Sequence, residues 1–160
     1  MKIIKSIILT ACTGCLFFFF SCSEEEETPG FNFLDQNLQG EIDGTSWVFR
    51  TGTAEPSPSM PDQLSMEMVN EEIIDPCSQF FFDQDQIFFS IPNQLGLYQL
   101  DLQSQTVTFF IPPGSNFIAA EGAIEIQSID TSNGIVTGRM DVRANDNTFA
   151  NGNFTLDFCD

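Results

Sequence analysis

The sequence predicts an all-β fold, either an antiparallel β-sandwich or a flattened barrel, with about nine or ten strands. Apolar and polar residues alternate through most of residues 40–158, which is typical of strands with one buried face. Clusters of Gly, Pro, Asn and Asp recur about every ten residues, the strand spacing of sandwiches and barrels. No window keeps a helical period, so we expect strands throughout. A calycin-like barrel is one arrangement that they could take.

The first two strands are predicted to form a hairpin within residues 40–49. Asp43-Gly44 lies in the middle of this stretch, and Asp-Gly is a strong signal for a two-residue hairpin turn. Trp47 and Phe49 fall on the same side of the second strand, and large aromatic side chains usually belong to the core. We therefore interpret Trp47 as a core residue rather than as a stacking platform for a sugar.

The alternation continues to the C-terminus and is interrupted twice by longer loops. Residues 53–62 are rich in Pro and Ser, and residues 70–78 contain Asp75-Pro76-Cys77, so both stretches are predicted to be loops. The remaining strands are expected at residues 64–68, 79–82, 86–91, 98–102, 107–111, 124–129, 136–144 and 154–158.

Residues 1–21 are predicted to be a lipoprotein signal peptide. Lys2 and Lys5 precede an apolar stretch at residues 7–20, which is shorter than the roughly 20 residues that a membrane-spanning helix needs. Cys22 follows at once and is the expected lipidation site. Cys12 lies in a better local pattern, but cleavage there would leave too short an apolar segment, since signal peptides use about 7–15 such residues.

An acidic run follows the expected lipidation site. Residues 22–39 are predicted to be a tether, and residues 40–160 a single all-β domain. A cysteine followed directly by serine and glutamates resembles the surface-export signal of Bacteroidetes lipoproteins. That resemblance implies a lipid-anchored protein on the outer face of the outer membrane. Its residues here are Ser23, Glu24, Glu25, Glu26 and Glu27. A solvated spacer is the alternative, because like charges repel and stay disordered.

A second resemblance covers roughly residues 39–159 and depends on the order of short motifs. These motifs lie at residues 40–44, 47, 91–93, 97–100, 122–126, 129–130, 135–138 and 151–154. Their order resembles a family of small Bacteroidetes lipoproteins that carry a domain of unknown function. The resemblance implies a lipid-anchored, antiparallel β domain, and it brings no reaction, cofactor or catalytic residue.

Cys77 and Cys159 are predicted to form a disulfide. They are an even pair in an oxidising compartment, and no third thiol of the mature chain competes once Cys22 is acylated. If the apolar residues of the last strand face the core, Cys159 points to the other face. Its partner must then come from a loop packed over that face, which the Cys77 loop could supply.

The charge balance excludes some partners. The chain has a formal net charge of −18 and no His, and its predicted mature part keeps all 23 acids. Nucleic acid and anionic lipid headgroups are therefore disfavoured, because binding phosphates needs clusters of Lys and Arg. Cations, basic surfaces and neutral glycans remain compatible with this charge.

Two groups of charged residues could be sites, although a structural role is the simpler interpretation. Arg139 and Arg143 are predicted to form cross-strand charge pairs with nearby acids, the candidates being Asp141, Glu125 and Asp157. Acidic turns at residues 83–85 and 141–147 carry the oxygen ligands that calcium prefers. They lack the spaced ligand pattern of a calcium loop, so we predict turns and no metal.

The composition argues against an enzyme. Without His, neither a Ser-His-Asp nor a Cys-His arrangement can form, and no Gly-x-Ser-x-Gly motif is present. A zinc site would lack histidine, its main nitrogen ligand, and the sequence contains no glycine-rich phosphate loop. We therefore predict no catalytic residue and no cofactor. A carboxylate pair for glycoside hydrolysis is the one chemistry that stays open.

Two functions from different classes remain. The leading hypothesis is a lipid-anchored, non-catalytic binding or structural module at the cell surface, whose partner is an unidentified protein, glycan or small molecule. The alternative is a calycin-like carrier with a small apolar ligand in its interior, and an acid-based hydrolase is a distant third. A filled interior would favour the module, and an apolar cavity would favour the carrier.

Overall fold

The computed structural model describes residues 30–159, which form one curled sheet of eleven strands. The sheet bends into a half-barrel, so the predicted all-β class is confirmed. The strands are β1 (Gln39–Ile42), β2 (Thr45–Val48), β3 (Thr51–Pro56), β4 (Gln63–Val69), β5 (Gln86–Pro92), β6 (Gly96–Gln99), β7 (Val107–Ile111), β8 (Ser115–Ala119), β9 (Glu121–Asp130), β10 (Ile135–Asn145) and β11 (Thr148–Phe158). Among the described residues, the one helical element is a 3-10 turn at Pro76–Ser78. No helix in this part of the chain is long and apolar enough to cross a membrane.

The sheet is antiparallel with one exception among its strands. Hydrogen-bonded neighbours follow the order β6-β9-β10-β11-β3-β4-β5-β7-β8, and β1 pairs with both β2 and β11. β3 runs parallel to β11, with Thr53 opposite Asp157 and Ala54 opposite Phe158. The two strands are far apart in the sequence. The alternation of apolar and polar residues is the same in parallel and antiparallel strands, so it carries no information about this pairing.

The β1–β2 hairpin matches its prediction. Ile42 pairs with Thr45 across the turn, and Asp43 and Gly44 both have positive φ, 50° and 76°. These are the angles that a two-residue primed turn requires, and Asp and Gly tolerate them well. The Gly44 N–H also donates to the Asn147 carbonyl at 2.8 Å, so the hairpin tip is held against the β10–β11 turn.

The inward side chains of the curled sheet pack into one continuous core. Trp47 is buried as predicted, and its indole N–H donates to the Asp85 carbonyl at 3.1 Å. The largest fully buried side chains come from strands along the whole sheet and, in the case of Leu38, from the segment before β1; they are Trp47, Phe109, Leu38, Ile42, Leu64, Met66, Met68, Ile87, Ile91, Ile124, Ile126 and Met140.

Residues 31–38 belong to the folded unit, although the sequence assigned them to the tether. Leu38 is fully buried, and its N–H donates to the Asn153 carbonyl at 2.8 Å. Nearer the start, the Leu34 N–H donates to the Asn151 side chain at 2.9 Å. The compact unit begins at Phe31, because this segment hydrogen-bonds to β11 without being a regular strand.

Three strand predictions need correction. Residues 79–82 lie in a loop rather than in a strand, β3 falls where a Pro- and Ser-rich loop was expected to begin, and β8 was not foreseen. β3 carries Gly52 and ends at Pro56, and β8 has little apolar alternation. In both cases pairing with a strong neighbouring strand decides the structure, because weak local preference is readily overridden in a sheet.

Candidate functional site

The long loop of residues 70–85, between β4 and β5, folds over the outer face of the sheet. Cys77 lies in the 3-10 turn of this loop and forms a disulfide with Cys159, the two Cα atoms being 5.5 Å apart. The predicted bond is therefore present. It joins the loop to the end of β11, where the Cys159 N–H donates to the Ala54 carbonyl at 2.9 Å.

Under this loop the outer face presents two carboxylates on neighbouring strands. Leu64, Met66 and Met68 of β4 point into the core, so Glu67 points outward. Thr53 lies directly opposite Glu67 in the β3–β4 pair, which makes Glu55 its diagonal cross-strand neighbour. Such neighbours lie roughly 7–8 Å apart, and the two carboxylates therefore act on one another.

Three consecutive phenylalanines form the wall of the loop above these carboxylates. Phe81 is 2% exposed and anchors the loop, whereas Phe80 and Phe82 are 83% and 70% exposed. The Phe80 and Phe82 rings stack on one another with centroids 5.4 Å apart and planes 14° apart. The loop thus presents a flat aromatic pair to solvent.

Two adjoining hollows connect these features. A hollow of about 370 Å³ contains Glu55, Glu67, Phe80 and Phe82, and the disulfide lies in its wall. A second hollow of about 310 Å³ shares Glu67 and Phe82 and continues past Phe88. We call this combined feature the acid–aromatic groove and define it by Glu55, Glu67, Phe80, Phe82 and Phe88.

The groove is negatively charged and lacks a cation of its own in the described part of the chain. Burial raises the pKa of Glu67, and the nearby charge of Glu55 raises it further. Residues 30–159 contain no Lys or His, and the one ion pair found there joins Arg139 to Glu125. Arg50 lines a different hollow, beside residues 35–37.

The outer surface of β9–β11 has the opposite character. Arg139 forms its ion pair with Glu125 directly across the strands, as predicted, and its guanidinium lies 4.5 Å from the Phe33 ring. The charge pair predicted for Arg143 does not form among the described residues, and its guanidinium instead lies 4.9 Å from the centre of the Phe149 ring. The pairing predicted for Asp157 is wrong, because it lies opposite residues 135 and 53, away from the register of either arginine.

Asp141 is also used internally. One of its carboxylate oxygens accepts from the Asn32 N–H at 3.1 Å, and the other accepts from the Asn151 side chain at 3.0 Å. This acid, one of the calcium candidates, therefore holds the segment before β1 against the sheet. Across the described residues, no three acidic or cysteine side chains are grouped so as to hold a metal.

A second groove, around Gln105, has its polar groups engaged within the protein. The Gln105 amide donates to the Ser90 carbonyl, and the Tyr98 hydroxyl donates to the Gln94 carbonyl, both at 2.8 Å. Burial raises the pKa of Tyr98. Groups that are already paired in this way stabilise the local loops and offer little to a ligand.

The predicted anchor residues lie outside the described part of the chain. These are Cys22 and the export residues Ser23, Glu24, Glu25, Glu26 and Glu27. Their roles stay predictions.

The acid–aromatic groove was not foreseen from the sequence. The sequence predicts a strand at residues 79–82, whereas the structure has a loop there. A signal was present, since three aromatic residues in a row cannot all point to one side of a strand.

Comparison with known proteins adds no relative: no protein-family model, curated protein or solved structure matches this chain.

Proposed function

We propose that this protein is a lipid-anchored, surface-displayed, non-catalytic binding module that engages its partner through the acid–aromatic groove. The predicted signal peptide, Cys22 and the acidic run at residues 24–27 support the anchored location. The groove supports the binding role, because it combines exposed aromatic rings with charge that the described residues leave unpaired.

The observation that carries the proposal is the exposure of Phe80 and Phe82 on a fixed loop. Exposed apolar patches on soluble domains often mark binding sites, and aromatic residues are enriched at the centres of interfaces. Phe81 and the disulfide hold the loop in place, so its two neighbours are presented to solvent without the ordering cost of a mobile loop. Such preorganisation favours binding.

The packed core of the curled sheet supports this module over the calycin-like carrier. A carrier needs an interior space lined by apolar side chains. Here Trp47, Phe109 and Met140, which come from distant strands of the sheet, are fully buried within one packed cluster. The exposed groove is thus the better-supported binding surface.

Crosslinking in intact cells tests the binding role. The full chain is expressed in its own host with the photoreactive residue p-benzoylphenylalanine in place of Phe80, or in place of Ser132 as an exposed control in the β9–β10 turn. We expect a discrete higher-mass adduct from position 80 and none from position 132. Equal adducts from both positions, or no adduct from position 80, would contradict the proposal.

Fractionation and protease treatment test the anchored location. We expect Cys22→Ser to leave the membrane fraction or to accumulate as precursor, since stable anchoring needs acyl chains. Protease added to intact cells should remove the domain, and changing residues 24–27 to alanine should protect it while it stays membrane-bound. If both forms are cleaved equally, the acidic run is only a spacer. If the Cys22 variant still matures as a lipoprotein and Cys12→Ser does not, the anchor is at Cys12.

A further inference from the structure

The chemistry of the acid–aromatic groove indicates what kind of partner it fits. Glu67 is half-buried between strands and beside a second carboxylate, Glu55, on the adjacent strand. A like charge and partial burial both disfavour the ionised form of a carboxylate. A cation placed in the groove would relieve both effects, and no described residue supplies one.

The aromatic pair favours the same kind of occupant. The faces of aromatic rings carry partial negative charge and attract Lys or Arg side chains within about 6 Å of the ring centre. The chain already makes this contact twice, with Arg139 over Phe33 and Arg143 over Phe149. Phe80 and Phe82 are 83% and 70% exposed, and the two arginine contacts of the described chain are made to other rings.

The shape of the groove favours an extended protein segment. Its two hollows, of about 370 and 310 Å³, share Glu67 and Phe82 and open to solvent side by side. The second hollow also contains Phe88 and Phe110, so the acidic end of the groove leads into an apolar end. A segment with a basic side chain followed by apolar ones matches this order.

We propose that the groove binds a basic, apolar segment of a partner protein, with a Lys or Arg side chain at Glu55, Glu67 and the Phe80–Phe82 pair. Apolar residues of the same segment would cover Phe88 and Phe110. This inference rests on the proposed binding function and adds the class of partner. The same carboxylates would repel phosphate groups, which agrees with the low expectation for nucleic acid and anionic lipid.

Matched peptides test the class of partner directly. The probe is a fluorescent, end-blocked octapeptide that alternates Arg with Leu, bound to the full chain in phosphatidylcholine nanodiscs, with empty nanodiscs as the blank. A second peptide has citrulline, the neutral analogue of arginine, at every Arg position, and a third has Ser at every Leu position. We expect the first to bind and each of the others to bind more weakly.

Two pairs of substitutions locate the binding. Glu55→Gln with Glu67→Gln should weaken binding of the Arg-Leu peptide about 10-fold, as expected for two lost charge contacts that are partly desolvated. Phe80→Ala with Phe82→Ala should weaken it at least as much. The matched control, Asp62→Asn with Glu72→Gln, removes the same charge at exposed positions outside the groove and should have little effect. Circular dichroism checks that each variant is folded.

Different results of the peptide experiments would overturn this inference, and the crosslinking experiment shows whether the proposed binding function fails with it. If the citrulline peptide binds as well as the arginine peptide and the phenylalanine variant loses both, the occupant is apolar rather than basic. If no peptide binds, or if the two glutamine changes have no effect, the basic segment is wrong. The crosslink from position 80 in cells would still support a binding module in either case, and its absence would refute that function itself.

Discussion

The two halves of the outer face of this sheet differ in whether their charged side chains have partners within the chain. On β9–β11, Arg139 pairs with Glu125 and lies over an aromatic ring, and Asp141 accepts two hydrogen bonds. On β3–β5, Glu67 and Glu55 are diagonal neighbours on adjacent strands, without an ion pair to a described cation, and they lie below rings that face solvent. Arg139, Glu125 and Asp141 of the first surface have partners within the chain, whereas the second surface combines features that a partner would satisfy.

This contrast identifies a site where residue types alone do not. Both surfaces carry Glu and Phe, and both would be described as charged and aromatic from the sequence. They differ in whether each group already has a partner within the chain. An unpaired, half-buried carboxylate lowers stability, since burial disfavours its charge. Its persistence beside exposed aromatic rings is therefore the stronger indication of function.

The largest expected effect comes from separating the groove loop from the sheet. The disulfide closes a sequence separation of 82 residues, for which chain entropy sets an upper estimate of about 4.5 kcal/mol of stabilisation. We expect Cys77→Ser to lower the free energy of urea unfolding by a large part of that amount and to make residues 70–85 sensitive to protease. The β9–β11 surface should keep its protection from hydrogen exchange.

Peptide mapping provides the control for this prediction. In the denatured but unreduced chain, a thiol reagent should leave Cys77 and Cys159 unlabelled. Quantitative labelling of both would show that the bond does not form. The expected difference between the loop of residues 70–85 and the β9–β11 surface would then have no basis.

The next effect concerns the tight packing of the β9–β11 half. A Cβ atom at Gly138 would lie 2.5 Å from the Glu125 carbonyl oxygen and 2.6 Å from the Phe154 ring. Gly138→Ala should therefore cost about 1–3 kcal/mol of unfolding free energy, as overpacking usually does. Gly114→Ala, where the added atom meets nothing within 4 Å, is the matched control. An equal loss in both would mean that packing is not the cause.

A smaller effect is expected from the ion pair. Arg139→Met removes the contact with Glu125 and the one with the Phe33 ring, and should cost about 0.5–1 kcal/mol because both are partly exposed. The loss should shrink at high salt. Arg50→Met, at an exposed position without such a pair, should change the melting temperature less. A salt-independent loss would point to packing rather than charge.

The smallest expected effect compares the two halves most directly. Replacing Glu by Gln should raise the melting temperature in one half and lower it in the other. The pKa of Glu67 is raised above its ordinary value of 4.5 by burial and by Glu55. Asp157, which lies opposite Thr53 on the adjacent strand, is also an acid, and the one ion pair of the described residues joins Arg139 to Glu125. The folded state therefore favours protonated Glu67, and this stabilisation is present below pH 4.5 and lost as the pH rises through the raised pKa.

Glu67→Gln should accordingly raise the melting temperature at pH 7, and the gain should fade toward pH 4. Glu125→Gln should lower the melting temperature at pH 7, since it leaves Arg139 without its partner. Melting curves of the full chain at both pH values test this. Changes of the same sign in both variants would remove the distinction between the two surfaces.

Much of the fold followed from local patterns. Alternation predicted the all-β class, Asp43-Gly44 predicted the first hairpin, and the position of Cys159 on the outward side of the last strand predicted that a loop would lie over that face. The cross-strand pair of Arg139 and Glu125 also agreed with its prediction. Each of these depends on side-chain period or on short turn chemistry, which neighbouring residues determine.

What alternation cannot show is which strands meet. The parallel pairing of β3 with β11, the packing of residues 31–38 against β11 and the course of residues 79–82 all depend on contacts distant in the sequence. The groove depends on them most of all. Glu55 and Glu67 come together because β3 and β4 pair in this register, and the loop that carries Phe80 and Phe82 is held over them by the Cys77–Cys159 bond and by buried Phe81.

By itself, the sequence determined the class of fold, the inward and outward sides of most strands and the pairing of Cys77 with Cys159, because periodicity, turn residues and cysteine number are local or countable properties. The tertiary structure alone decided which outward residues have partners and which do not. That distinction depends on distances between strands brought together by folding, and the acid–aromatic groove exists only at that level.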